Sequence, residues 1–309
     1  DKYVVDGNTI ALWHFNEGSG GMLNDSSGNG FHGTLMNMDD SSWVENIHGC
    51  TDSYADNHNP DANWDDGSCT YPDNGDYSLS FDGVDDFIII NESNSLNNLD
   101  ELTMEISILV NEGQGNTSIL TKGNNKYLYW DVDFEDDYLP SQEYQGFQIE
   151  PNGYEGGSAE TFNMEYNEWY TLTWLYDNDS NDLRIYKNGE YVRTENAEID
   201  FNSGNQELIF GIWEHSNNDF RGKISNLKIW DKALTNEEVS LNYIGTENNE
   251  NLVAHYRFGK GDENILYDHS GNANHGTING ATWVENIYGC NDEYADNYDE
   301  TATIDDGSC

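Results

Sequence analysis

The sequence predicts an all-β fold, an antiparallel sandwich that carries two small cysteine-bounded modules. Three observations predict it. Short runs of alternating or apolar residues, bounded by Gly, Asn, Asp and Ser, fill the stretch from Tyr77 to about Tyr243. Asn188 and Gly189 separate two such runs by two residues, the strongest short-range hairpin signal, because both residue types adopt positive φ. The four cysteines, Cys50, Cys69, Cys290 and Cys309, fall into two pairs of identical spacing.

In chain order, the strand-like runs include DFIII at 86–90, LTMEISILV at 102–110, EWYTLTWLYD at 168–177, LRIYKNGEYV at 183–192 and KISNLKIW at 223–230. One helix stands out after them. Thr235 and Glu238 form a capping box before Val239, Leu241 and Tyr243, and this helix is expected to close one end of the sandwich. GTENNE at 245–250 is polar and aperiodic, and it reads as a linker.

An internal duplication organises the whole. Residues 12–50, LWHFNEGSGGMLNDSSGNGFHGTLMNMDDSSWVENIHGC, return as HYRFGKGDENILYDHSGNANHGTINGATWVENIYGC at 255–290. Phe15 corresponds to Phe258, Asp25 to Asp268, His32 to His275 and Trp43 to Trp283, and each copy runs on into a cysteine-bounded segment. His32 and His275, each before a Gly-Thr pair, read as turn or packing residues.

The expected organisation is a sandwich from residues 1–48 and 77–243, an inserted acidic module at 49–72, a linker at 244–250, the second copy at 251–288 and a second module at 289–309. The first copy then supplies a strand to the sandwich, while the second has no complete sandwich after it. An unpaired strand invites pairing with another chain. Such a contact on a neighbouring molecule propagates into a filament or surface layer unless rotation closes a ring. The alternatives are that the second copy folds back on its own sandwich or begins a further domain.

Composition narrows the partners. Lys and Arg number 12 against 59 Asp and Glu, a formal charge of −47 over 309 residues. Nucleic acid is excluded as a partner, since phosphate binding needs clustered cations. Carboxylates at this density repel unless cations or salt screen them, which suits a saline or calcium-rich medium. The chain has no run of about 18 apolar residues that would make a transmembrane helix. DKYVVDGNTI at the N-terminus has neither the basic nor the apolar region of a signal peptide, which fits numbering that begins after a removed leader. The paired cysteines argue for local disulfides, Cys50 with Cys69 and Cys290 with Cys309, and for an extracellular or cell-surface setting. Zinc is the rival, but no cysteine has a CxxC partner.

The modules GCTDSYADNHNPDANWDDGSC and GCNDEYADNYDETATIDDGSC share 13 of 21 positions, and these include Asp52 and Asp292, Asp56 and Asp296, Asn57 and Asn297, Asp65 and Asp305, and Asp66 and Asp306. Calcium takes six to eight oxygen ligands, so Asp52, Asp56, Asn57, Asn59, Asp65 and Asp66, with Asp292, Asp296, Asn297, Asp299, Asp305 and Asp306, are candidate ligands. A disulfide-bonded acidic turn without metal is the alternative.

EWYTLTWLYDNDSNDLRIYKNGEYV followed by FRGKISNLKIWDKALTNEEV, with SLSFDGVDDFIII at 78–90, resembles the laminin-G-like, concanavalin A-like jelly rolls of lectins, pentraxins and secreted bacterial proteins. The cysteine-bounded segments resemble acidic modules of large secreted proteins of marine bacteria. The first resemblance implies an antiparallel jelly-roll sandwich and a calcium site at Asp82 and Asp85, with Asp86 beside them. Ser225 and Asn226 stand where the family commonly has an Asp-Glu pair.

Jelly-roll glucanases carry alternating carboxylates on one strand, and WDVDFED offers Asp131, Asp133 and Glu135. Those enzymes begin with Glu, and so acidic a chain makes such patterns by composition alone. No HExxH, GxSxG or phosphate loop is present. The expected function is a non-enzymatic, extracellular, calcium-binding structural or adhesive protein whose partners are other copies of itself or extracellular glycans. A carbohydrate-binding module is the alternative, with Trp130, Tyr154 and Trp213 as weak sugar-stacking candidates, since aromatics more often pack a core.

Overall fold

A computed structural model describes residues 3–97, 99–111, 117–122, 128–133, 146–151, 164–196, 207–211, 219–246, 249–259 and 264–309. The chain divides into two compact units, residues 1–69 and 70–309.

In the first unit, β1 (Met22–Leu23) pairs antiparallel with β2 (Gly33–Thr34), and β3 (His48–Gly49) pairs parallel with β4 (Trp64–Asp65). One carboxylate organises the first copy. Asp25 Oδ1 accepts the N–H groups of Leu12 and Ser27, and Oδ2 accepts the Phe31 N–H at 2.9 Å and the Ser27 hydroxyl at 2.8 Å. These donors, the Leu12 N–H foremost, hold the Asp25 carboxyl well below the usual carboxylate range.

The second unit is the sandwich. Its strands are β5 (Tyr77–Asp82), β6 (Phe87–Ile90), β7 (Leu102–Val110), β8 (Thr117–Lys122), β9 (Leu128–Asp133), β10 (Gly146–Pro151), β11 (Trp169–Asp177), β12 (Asp182–Lys187), β13 (Glu190–Asn196), β14 (Leu208–Phe210), β15 (Arg221–Trp230), β16 (Leu252–Tyr256), β17 (Ile265–Leu266), β18 (Gly276–Asn279) and β19 (Thr282–Glu285), with short helices α1 (Asn94–Asn97) and α2 (Asn236–Tyr243). A parallel pair, β20 (Tyr288–Gly289) with β21 (Ile304–Asp305), lies in the second module.

The strands make two antiparallel sheets. One runs β10-β9-β8-β14-β6-β18-β17. The other runs β13-β12-β11-β7-β15-β5-β19, with β16 also paired to β15. Alternation fills the space between them: Phe81, Ile88, Ile90, Ile106, Ile108, Trp174, Ile185, Phe210 and Ile229 are all essentially buried. Every strand-like run read from the sequence is a strand here. Asn188 (φ 52°) and Gly189 (φ 74°) form the turn between β12 and β13, as their positive φ preference requires.

The helix α2 has the capping box: Thr235 Oγ1 accepts the Glu238 N–H at 3.2 Å, and Glu238 Oε2 accepts the Thr235 N–H at 2.7 Å. Its position differs from expectation. Val239 packs with Leu175, Tyr186, Trp230 and Leu234, on the outer face of the β13-to-β19 sheet, so the helix covers a face rather than closing an end. Leu241, two residues from Val239, lies off its helical face, while Tyr243, four residues on, shares that face but sits at the exposed end of the helix, so of the three only Val239 is buried.

The largest difference concerns the duplication. Residues 10–48 were expected in the sandwich, but they lie in the first unit together with the 49–69 module, which is therefore not an insertion. It is the second copy that completes the sandwich. β16 pairs with β15 (Leu227 opposite Tyr256, Ile229 opposite Ala254), β18 pairs with β6 (Ile88 opposite Ile278), and β19 pairs with β5 (Leu79 opposite Trp283). Val253, Ala254, Tyr256, Phe258, Leu266 and Ile278 thereby enter the main core. The second copy is thus no unpaired strand awaiting a neighbour, and the filament expectation loses the edge on which it rested. The physical reason is connection length: α2 turns the chain back beside β15, so β16 meets the nearest open edge as an antiparallel neighbour.

Candidate cation site and ligand surface

The turn from β5 to β6, Asp82-Gly83-Val84-Asp85-Asp86, gathers three carboxylates at one end of the sandwich. One oxygen from each lies within 4.8 Å of the others, and among the described residues this is the one cluster of three or more acidic, histidine or cysteine side chains close enough to share a cation. Local chemistry shapes it. Gly83 (φ +80°) takes a conformation that a side chain would strain, and an added Cβ would press on Arg221. Asp82 Oδ1 accepts the Val84 N–H at 2.9 Å, and Asp86 Oδ2 accepts the Asp82 N–H at 2.8 Å.

Asp82 and Asp85 are exposed, and Asp86 is buried beneath them. Burial, and then the negative charges of Asp82 and Asp85, push the Asp86 carboxyl above the usual carboxylate range, against the opposing Asp82 N–H bond. A hard cation relieves both penalties at once, and an all-oxygen donor set of this kind suits calcium. The second copy helps to wall the site: Gly280 (φ +78°) approaches so closely that a Cβ there would clash with the Asp86 carboxylate.

The register does not bring Ser225 and Asn226 to this cluster. Arg221 is the β15 residue opposite Asp82. Asn226 lies further along the strand, past a bulge, where its Nδ2 donates to Glu105 Oε1 at 3.4 Å. Asp219, two residues before β15 and buried, is an acidic residue at the Asp82 end of the sheet that sequence reading passed over. Its only signal was a lone Asp before the FRGK run.

The modules hold both expected disulfides, Cys50–Cys69 and Cys290–Cys309. Their recurring acidic positions act first on their own backbone. Asp52, Asn59, Asp65 and Asp66 each accept an N–H two residues on, and Asp292, Asp299, Asp305 and Asp306 do the same in the second module. Asn57 and Asn297 donate across the loop to the carbonyls of Ser68 and Ser308, at 2.6 and 2.8 Å. Among the described residues no three module carboxylates, those of Asp56 and Asp296 included, meet as Asp82, Asp85 and Asp86 do.

Of the sugar-stacking and glucanase-like candidates, Trp130, Asp131 and Asp133 lie on β9. Glu135, Tyr154 and Trp213 lie outside the described residues. No described helix is long and apolar enough to cross a membrane.

Compared with known proteins, the fold has clear relatives. A solved candidate carbohydrate-binding protein from Bacteroides ovatus superposes with a TM-score of 0.54 at 19% identity, over 70% of this chain and 61% of that one. The chain thus spans about three-fifths of that neighbour's length. A heptameric SAP-like pentraxin from Limulus polyphemus matches with a TM-score of 0.43 at 17% identity, over 54% of this chain and 82% of its own. The CBM40 domain of the Ruminococcus gnavus IT-sialidase matches with a TM-score of 0.39 at 15% identity, over 54% and 97%. No curated protein matches this sequence. The family model for the concanavalin A-like lectin/glucanases superfamily matches residues 81–240, just over half of the 309 residues and the span from the end of β5 into α2. By that match the chain belongs to the concanavalin A-like lectin/glucanases superfamily.

Proposed function

We propose that this chain is an extracellular, non-catalytic carbohydrate-binding module whose sugar contact depends on calcium held at Asp82, Asp85 and Asp86. The observation that carries the reading is the superfamily match over residues 81–240. The B. ovatus neighbour, a candidate carbohydrate-binding protein, supports it. The three converging carboxylates add the means: a cation bound by two exposed groups and one buried group keeps coordination positions open toward solvent, where sugar hydroxyls are natural hard-oxygen ligands. The two disulfides fit an oxidising, extracellular setting. Adhesion through self-assembly is the weaker reading, because the second copy that was to provide it is already paired within its own sandwich.

A glycan array probed with the full chain in calcium tests the proposal. Binding to a defined glycan, lost in EDTA and in the folded Asp82→Asn/Asp85→Asn variant, with no reducing ends released on incubation, is the expected result. A broad array that stays negative at saturating calcium sinks it, as does calcium-dependent cleavage of a bound glycan.

A further inference from the structure

The two copies of the duplicated segment fold alike, and among the described residues only the second pairs its strands with a sandwich. In the second copy Asp268 repeats every contact of Asp25: Oδ1 accepts the N–H groups of His255 and Ser270, and Oδ2 accepts the Asn274 N–H and the Ser270 hydroxyl. His32 Nδ1 and His275 Nδ1 accept the N–H of Asp25 and of Asp268, at 3.2 and 3.0 Å. Ser27 and Asn29 bond the Ile10 carbonyl as Ser270 and Asn272 bond that of Val253. Even the unusual backbone returns, with positive φ at Phe15 (52°) and Phe258 (54°). The motif is therefore preformed, held by its own hydrogen bonds and independent of what lies beside it.

Their surroundings differ. Val253, Tyr256 and Phe258 are 6%, 0% and 2% exposed in the sandwich core, while their counterparts Ile10, Trp13 and Phe15 are 74%, 39% and 64% exposed. The apolar character has nonetheless been kept at each position that enters the main core cluster, although the buried Tyr267 outside that cluster is replaced by Asn24. Ile10 stands for Val253, Trp13 for Tyr256, Phe15 for Phe258, Leu23 for Leu266, Leu35 for Ile278 and Trp43 for Trp283. Large aromatic faces left in water at the positions that fill a core next door are the signature of an interaction surface.

We infer that the first copy is the completing segment of a second laminin-G-type sandwich, one that lacks a terminal repeat of its own and is open along the strands equivalent to β5, β6 and β15. The seated second copy shows the geometry: one strand beside β15, one beside β6 and one beside β5, closing both sheets at once.

Two differences between the copies identify the partner as a sandwich other than a copy of this one. Asn274 Nδ2 donates to Ser95 Oγ at 3.0 Å and to the Val253 carbonyl at 2.8 Å, and Phe31 stands in its place. The cognate sandwich thus presents an apolar contact where this one presents Ser95. The tight Asn279-Gly280 turn against Asp86 is also replaced by a longer segment containing a short 3-10 helix at Asp40–Ser42. In addition, this chain's own groove is filled by a tethered segment whose effective concentration is of millimolar order, which disfavours exchange between copies.

The test grafts residues 9–36 in place of 252–279 in the full chain, with the position of Phe31 returned to Asn to suit Ser95. Gly259 and Tyr267 are also kept, because a Cβ at 259 would clash with Asp73 and Tyr267 is buried. The changes left at the main core positions are then the near-isosteric Val253→Ile, Tyr256→Trp and Ile278→Leu, and the graft is expected to unfold in one cooperative step within about 10 °C of the parent. A control with a Gly/Ser stretch of the same length at 252–279 loses that transition. A graft that melts no higher than this control overturns the inference. Sedimentation of the unaltered chain supplies the second arm: a monomer at high concentration is expected, and self-association dissolved by Phe15→Asp would make the partner another copy of this chain and overturn the assignment.

Discussion

Acid should loosen the sandwich through one histidine. His255 lies buried on β16, opposite Lys228 of β15, with its backbone N–H donated to Asp268 Oδ1 at 2.8 Å. Burial, and then the positive charges of Lys228, Arg257 and His269, drive its imidazole down to about 3, from 6.5 for an unhindered histidine. On acidification the unfolded chain takes up this proton near pH 6.5 and the folded chain only near pH 3, so stability is complete above about pH 6.5 and falls as pH drops toward 3. The slope is about 1.4 kcal/mol per pH step, or about 2.7 kcal/mol lost by pH 4.5.

Glu105 and Asp86, whose carboxyls burial pushes up, act in the opposite sense, because the folded form then holds its proton more tightly. The clean measurement is therefore a difference. Urea unfolding followed by tryptophan fluorescence at pH 7.5 and 4.5 is compared between the wild type and His255→Leu, the residue that Leu12 supplies in the first copy. The variant should escape about 2 to 3 kcal/mol of the acid loss, whatever its stability at pH 7.5. An identical acid loss in both proteins would refute the assignment of a buried neutral imidazole.

The other predictions are briefer. Phe258→Ala, which empties a core position packed against Trp283 at a ring separation of 6.1 Å, should cost about 3 to 5 kcal/mol in urea unfolding, whereas Phe15→Ala in the exposed copy should cost within about 0.5. Calcium at a hundredfold excess over its Kd should stabilise the sandwich by about 2.7 kcal/mol, a melting shift absent from Asp82→Asn/Asp85→Asn. Reduction of either disulfide, whose partners lie 19 residues apart, should remove about 3 kcal/mol from its module, read as amide exchange confined to 50–69 or 290–309.

Local interactions were legible in the sequence, because their partners lie within a few residues of one another. The alternation of 102–110 and 169–177, the Asn188-Gly189 turn, the Thr235-Glu238 capping box and the two cysteine pairs all stand in the structure as read. The β5–β6 turn was legible for the same reason: Asp82, Asp85 and Asp86 are neighbours in sequence and meet in space.

What the tertiary structure decided was which of two equivalent segments fills the sandwich. The copies share the Asp25/Asp268 network and the same apolar positions, so periodicity and composition give both the same reading. Only the pairing of β16, β18 and β19 with β15, β6 and β5 separates Phe258 in the core from Phe15 on the surface. The distance between Asp82 and Ser225–Asn226 was likewise set by register, which places Arg221 opposite Asp82 and moves the expected pair along the strand. The hydrophobic drive specifies that an apolar face will be buried, and it is silent on the surface that buries it, because the burial free energy has no direction of its own. Backbone pairing along the open edges of the two sheets supplied that direction.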